Sequence, residues 1–249
     1  MGLHVERERH GFDYNDEMAV AEQLKRLQKE VENYKNHPAL LAWGIGNELN
    51  LRYTNKKVWN AVNDIAKMIH RVDPNHPATT MLAGIGKEEV DYIKEHGQNI
   101  DFLCIQMYAD VINVRERVAQ AGWDGPYAIT EWGATGHWEV AKTDWGAAIE
   151  QTSTERAKVL QERFENAIKP DTTQCLGSYV FLWGQKQERT PTWYGLFTEN
   201  GEIMESIDVL QYLWIGTWPV NRVPQIFDIK LNGQTRYDNI RISANTRAV

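Results

Sequence analysis

Apolar residues recur along this chain in two rhythms, short continuous runs and longer stretches with a helical period. The runs Gly2–Val5, Leu40–Ile45, Thr79–Leu82, Phe102–Met107, Pro126–Gly133 and Leu176–Trp183 read as strands. Between them, Glu17–Tyr34 carries Val20, Leu24, Leu27 and Val31 on one face behind Asp16, a residue suited to cap it. Lys57–Arg71 does the same with Val58, Val62, Ile65 and Ile69, and the segment Asp73-Pro74-Asn75-His76-Pro77 closes it. Further helices are expected over Lys87–Glu95, Val111–Ala121, Thr154–Ile168 and Glu202–Trp214, with Trp193–Thr198 as a last extended piece. The polar stretch from Glu6 to Asn15 has no period and reads as a loop.

Strand and helix in strict alternation imply a parallel sheet whose active residues stand at the C-terminal strand ends. An open doubly wound sheet alternates too, but it normally opens on a glycine-rich phosphate turn, and none is found. The expected fold is therefore α/β, of the (β/α)8 TIM-barrel type, over residues 1–220. Only six strands are visible where closure needs eight, so the barrel is expected to be N-terminally incomplete, with its open edge covered by pairing with another chain, a homo-oligomer being one form of this, or by an unusual closure. Residues 221–249 change character. They alternate apolar and polar positions around Asn232-Gly233, the signature of a β-hairpin, which would cap the barrel or open a β-sandwich module.

Composition narrows the partners. A formal net charge of -7 argues against nucleic acid or an anionic membrane surface, and no run is long and apolar enough to span a membrane. The first ten residues lack the apolar core of a signal peptide, which leaves the compartment open. Ten Trp and ten Tyr are many for 249 residues; most would fill the core, and some would line a sugar cleft by stacking on pyranose faces. Cys104 and Cys175 sit in or beside apolar runs and read as small core residues.

Two runs end in a carboxylate. Asn36–Asn50 reads N-H-P-A-L-L-A-W-G-I-G-N-E-L-N and delivers Asn47 and Glu48; Pro126–Gly133 reads P-Y-A-I-T-E-W-G and delivers Glu131. A charged side chain at the end of a buried run is costly without a task. A Glu alone could simply favour a helix start. A pair, each on its own strand end, matches glycoside hydrolysis, in which one acid protonates the leaving oxygen and one carboxylate attacks or activates water. The clustered His and Asp ligands of a metal-dependent hydrolase are missing.

These segments resemble the TIM-barrel domain of clan A glycoside hydrolases, most closely glycoside hydrolase family 2, over roughly residues 1 to 215. The resemblance implies that Glu48 is the general acid/base, Asn47 a ligand of the sugar 2-hydroxyl, Glu131 the nucleophile and Tyr108 its contact. It places Trp183, in Phe181-Leu182-Trp183, at the floor of the first sugar site, with Trp132 and Trp138 as further aromatic contacts. It implies a retaining mechanism with carboxyl groups about 5 to 5.5 Å apart. Glu8-Arg9-His10-Gly11 is similar to an E-x-H-G element that helps hold magnesium in some family-2 β-galactosidases. Glu8, His10 and Glu48 specify such a site poorly, so no cofactor or metal is expected, and His10 is read as a hydrogen-bond partner of substrate or of Glu48. The family's strand-two Arg has no counterpart, and neither Arg7 nor Arg9 matches it by position. The Asn-x-Lys element by which β-glucuronidases read a carboxylate is replaced by Thr192-Trp193-Tyr194, so a neutral β-linked sugar or glucan is expected. Two alternatives remain: a transglycosylase with Trp138, Trp145, Trp193 and Tyr194 as acceptor-site candidates, and a non-catalytic carbohydrate-binding protein.

Overall fold

The computed structural model describes residues 1–244. Six strands, β1 (Gly2–Leu3), β2 (Trp43–Ile45), β3 (Ala78–Ala83), β4 (Phe102–Gln106), β5 (Tyr127–Glu131) and β6 (Cys175–Ser178), form one sheet in chain order. β1 pairs with β2, β2 with β3, β3 with β4 and β5 with β6, all in parallel. Helices α1 (Glu17–Tyr34), α2 (Lys57–Val72), α3 (Lys87–His96), α4 (Val114–Ala121), α5 (Ser153–Arg163) and α6 (Glu205–Ile215) alternate with and follow the strands. This is the alternation of an incomplete (β/α)8 barrel.

The helices start where their caps allow. Asp16 accepts from the backbone N–H groups of Met18 and Ala19, and Thr152 with Glu155 forms a capping box on α5. α2 buries Val58, Trp59, Val62, Ile65, Ala66 and Ile69, one stripe of the 3.6 period.

The departures from the pattern have local causes. The helix expected over Val111–Ala121 divides into a 3-10 turn, Ala109–Asn113, and α4; that over Thr154–Ile168 divides into α5 and a π turn, Phe164–Ile168. α6 begins late because Ile203 bridges back to Phe197. Glu8–His10 forms a single 3-10 turn within the expected loop. The run Leu176–Trp183 pairs regularly only to Ser178. A register shift at Gly177, whose φ is 145°, breaks the ladder, which is rejoined only by a bridge between Gly133 and Phe181.

The chain forms two compact units. One holds Met1–Met107, Asn113–Thr130 and Asp171–Ser178 and carries the sheet with α1 to α4; its core includes Leu27, Val31, Trp43, Ile45, Val62, Ile65 and Leu82. The other holds Tyr108–Ile112, Glu131–Pro170 and the chain from Tyr179 onward, with α5, α6 and a smaller cluster of Tyr108, Ala134, Trp193 and Tyr194. Of the hairpin expected over 221–249, the structure has the turn. Asn232 and Gly233 both take positive φ, and Leu231 and Gln234 exchange backbone hydrogen bonds of 2.9 and 3.0 Å. The flanking residues up to 244 are not paired as strands, and residues 245–249 lie outside the described part. Cys104 is buried and Cys175 half-buried, both as free thiols. Among the described residues no helix is long and apolar enough to cross a membrane.

Candidate active site

In the first unit, β2 stops at Ile45 because Gly46 turns the chain with φ of 70°, where a Cβ would stand 2.7 Å from Leu49 Cδ1. The turn delivers Asn47 and Glu48, the latter itself in the left-handed region at φ 51°. Strained backbone of this kind persists only where its surroundings over-determine it. Here they do: the Glu48 N–H donates to the Met81 carbonyl at 3.0 Å, and Asn50 exchanges hydrogen bonds with both backbone groups of Ala83. Asn47 Oδ1 accepts from Gln106 Nε2, at the end of β4, at 2.6 Å. Arg9 Nη1 donates to the Glu48 carbonyl at 2.6 Å and to the Leu51 carbonyl at 3.3 Å, while its Nη2 stands 3.6 Å from Glu48 Oε2. Burial lowers the Arg9 pKa, with Arg7 adding to the effect and Glu48 opposing it. Arg9 is thus set against the acid/base candidate, a contact its sequence position alone did not signal.

The magnesium element does not fit. Both Glu8 oxygens are taken up by the Thr54 hydroxyl and the backbone N–H groups of Thr54 and Asn55, hydrogen bonds that hold its carboxyl below the usual range. His10 is exposed at the end of its 3-10 turn. Among the described residues no group of three or more His, Cys, Asp or Glu is set to hold a metal ion.

In the second unit, Glu131 is the last residue of β5, and the Tyr108 hydroxyl donates to its Oε2 at 2.9 Å. Three rings surround Tyr108 edge-on: Trp138 at 5.3 Å, Tyr194 at 5.6 Å and Phe181 at 6.0 Å between centroids. The loop beyond Glu131 is held from several sides. Buried Arg163 donates to the Gly133 carbonyl at 2.6 Å and to Thr135 Oγ1 at 2.8 Å, and Trp193 Nε1 donates to the Thr135 carbonyl at 2.9 Å. Glu139 accepts from the N–H groups of Gly136 and Ala109. The Tyr194 hydroxyl accepts from the His137 N–H at 3.1 Å; burial pushes its pKa up to about 12, so it stays protonated at neutral pH.

Several aromatic expectations change here. Trp132 is fully buried, its ring stacked on Phe164 at 5.9 Å, so neither face is open to a sugar and it is a core residue. Trp183 is exposed and packs edge-on to Phe197, whereas Phe181, two residues earlier, lies against Tyr108. Trp138 and Trp145 are exposed; Trp193 and Tyr194 are buried. Phe181 had a signal in the sequence, as one of the two aromatics of Phe181-Leu182-Trp183, while Arg163 had none, since a helical Arg normally faces water.

Residues 3–162 match the family described as "Glycosyl hydrolases family 2, TIM barrel domain". Among solved structures, the family-2 β-galacturonidase of Eisenbergiella tayi superposes with a TM-score of 0.60 at 16% identity, over 80% of this chain and 37% of its own. The β-D-glucuronidase of Dictyoglomus thermophilum gives 0.56 at 16% identity, over 79% and 36%. A family-5 mannosidase from Rhizomucor miehei gives 0.56 at 15%, over 80% and 59%. At these identities the likeness is one of fold, and the chain spans little more than a third of the first two. No curated protein sequence matches it significantly.

Proposed function

The chain belongs to glycoside hydrolase family 2 through its TIM-barrel domain, and from that premise we propose that it is a retaining β-glycosidase acting on a neutral β-linked glycoside or glucan. Glu131 attacks the anomeric carbon while Glu48 gives its proton to the departing oxygen. Glu48 then takes a proton from water, whose oxygen displaces Glu131 and returns the sugar with its configuration retained. Asn47, oriented by Gln106, holds the 2-hydroxyl, and Arg9 fixes the backbone that carries Glu48. The observation that carries this reading is the Tyr108 hydroxyl on Glu131 Oε2. A donor there aligns an ionised carboxylate for attack, and the rings of Trp138, Phe181 and Tyr194 pack around the tyrosine that supplies it. Exposed Trp138, edge-on to Tyr108, favours a second outcome in which an acceptor sugar replaces water and the same carboxylates transfer the glycosyl group.

The test is trapping with activated 2-fluoro-glycosides of gluco, galacto and manno configuration, followed by intact mass and peptide mapping. An adduct on Glu131 is expected. Folded protein that takes up none of the three probes would instead be a non-catalytic carbohydrate-binding protein. Product analysis with and without an acceptor sugar separates hydrolysis from transfer.

A further inference from the structure

Beside the Tyr108 cluster lies a charged pair that the mechanism above leaves unused. The segment after Trp183 doubles back in a tight turn: Glu188 and Thr190 exchange backbone hydrogen bonds of 3.2 and 2.9 Å around Arg189, whose φ is 66°. This turn fixes Glu188. One of its oxygens stands 2.6 Å from Lys186 Nζ and the other 3.6 Å from His137 Nε2. Lys186 Nζ in turn lies over the Phe181 ring, 5.2 Å from its centroid. Phe181 is edge-on to Tyr108, whose hydroxyl holds Glu131, so a single ring separates the ammonium from the nucleophile's tyrosine. Both members are reachable, with side chains 46% and 30% exposed.

An ammonium tied to a carboxylate offers an arriving molecule N–H donors and free lone pairs but no net charge. Sugar hydroxyls, each both donor and acceptor, suit such a pair. A uronic acid does not: its carboxylate would meet Glu188 as a like charge and would have to displace it from Lys186. On the reading that this site is glycosidic, we propose that Lys186 and Glu188 form a specificity pair in which Glu188 masks the Lys186 charge beside Phe181 and so selects a neutral sugar over a uronic acid. Glu188 is the discriminating member, and Lys186 is a latent anion reader.

The test measures kcat/KM for aryl β-glucoside, β-galactoside and β-mannoside and for their uronide counterparts. The wild-type chain is expected to prefer a neutral member. Glu188→Gln, which keeps shape and removes the charge, is expected to lower the neutral-to-uronide ratio by about tenfold or more, and Lys186→Gln added to it is expected to restore the ratio. A ratio that Glu188→Gln leaves unchanged, or a wild-type chain that prefers uronides, overturns the proposal. Trapping is run alongside with the neutral and uronide 2-fluoro probes. An adduct on Glu131 with an unchanged ratio rejects the pair alone; folded protein with no adduct from any probe rejects the glycosidic reading and the pair with it.

Discussion

Glu131 accepts a hydrogen bond from the Tyr108 hydroxyl on one carboxylate oxygen, and that bond is open to substitution. Tyr108→Phe keeps the ring that Trp138, Phe181 and Tyr194 touch and removes only the donor. A hydrogen bond to a charged group contributes about 1.5 to 3 kcal/mol. We therefore expect kcat to fall roughly 10- to 100-fold with little change in KM or in melting temperature, checked by steady-state kinetics and thermal unfolding. At this scale the sequence was informative where chemistry forces a residue type. Asn47, Glu48 and Glu131 stood out as candidates because a polar group ending an apolar run has to be explained, whereas Tyr108 came only from the family resemblance, and the structure sets its hydroxyl on Glu131. It was uninformative where only facing matters. Nothing in Phe181-Leu182-Trp183 states which aromatic turns toward Tyr108, and Trp132 looks in sequence as available as Trp138.

Two elements hold the candidate carboxylates, and each has a weak point. The turn after β2 depends on Gly46: Gly46→Ala forces a Cβ onto Leu49 at a positive φ, at a cost of about 1 to 3 kcal/mol. The expected result is a melting temperature lower by roughly 3 to 10 °C together with slower trapping, since the same turn carries Glu48. On the other side, the end of α5 presents Arg163 to Gly133 and Thr135, and the π turn that follows presents Phe164 to Trp132. Arg163→Met should release the loop behind Glu131, lowering kcat at least about tenfold while KM moves less, and Arg163→Lys should recover part of the loss. Equal falls in kcat for the Lys and Met variants, matched by equal losses of stability, would mark Arg163 as a packing residue only. Helix periods foretold α1 and α2 almost to the residue. They could not foretell the π turn, which arises where buried Arg163 and Phe164 meet the loop after β5.

For the molecule as a whole, acid stability is tied to Asp171 in the first unit. Burial pushes its carboxyl up, but hydrogen bonds from the Tyr127 hydroxyl, the Gln174 N–H and both the hydroxyl and N–H of Thr173 outweigh that, bringing its pKa down to about 2. A depressed folded pKa means stability that is fully present above the unfolded value of about 3.9 and lost as pH falls toward 2. Asp171→Asn should therefore flatten the pH dependence of the urea midpoint between about pH 4 and 2, and a slope identical to wild type would assign the acid transition elsewhere. Among the described residues β1 and β6 each pair with one neighbouring strand, and the proposal that another chain or an unusual closure covers the open edge is checked by light scattering and hydrogen exchange; a stable, monodisperse monomer with uncovered edges would contradict it. The chain order of the strands is seen in the structure, while the alternation of apolar runs with helical periods was enough, by itself, to determine a parallel α/β sheet with polar residues at its strand ends. That information is local, because side-chain period and run length follow from backbone geometry alone. Tertiary structure decided the rest: which aromatic faces Tyr108, that Glu8 accepts from Thr54 and Asn55, that Arg9 reaches Glu48, and that Glu188 pairs with Lys186. Each of these joins residues across a turn or across strands, and such pairings are set by packing, which no single stretch of sequence contains.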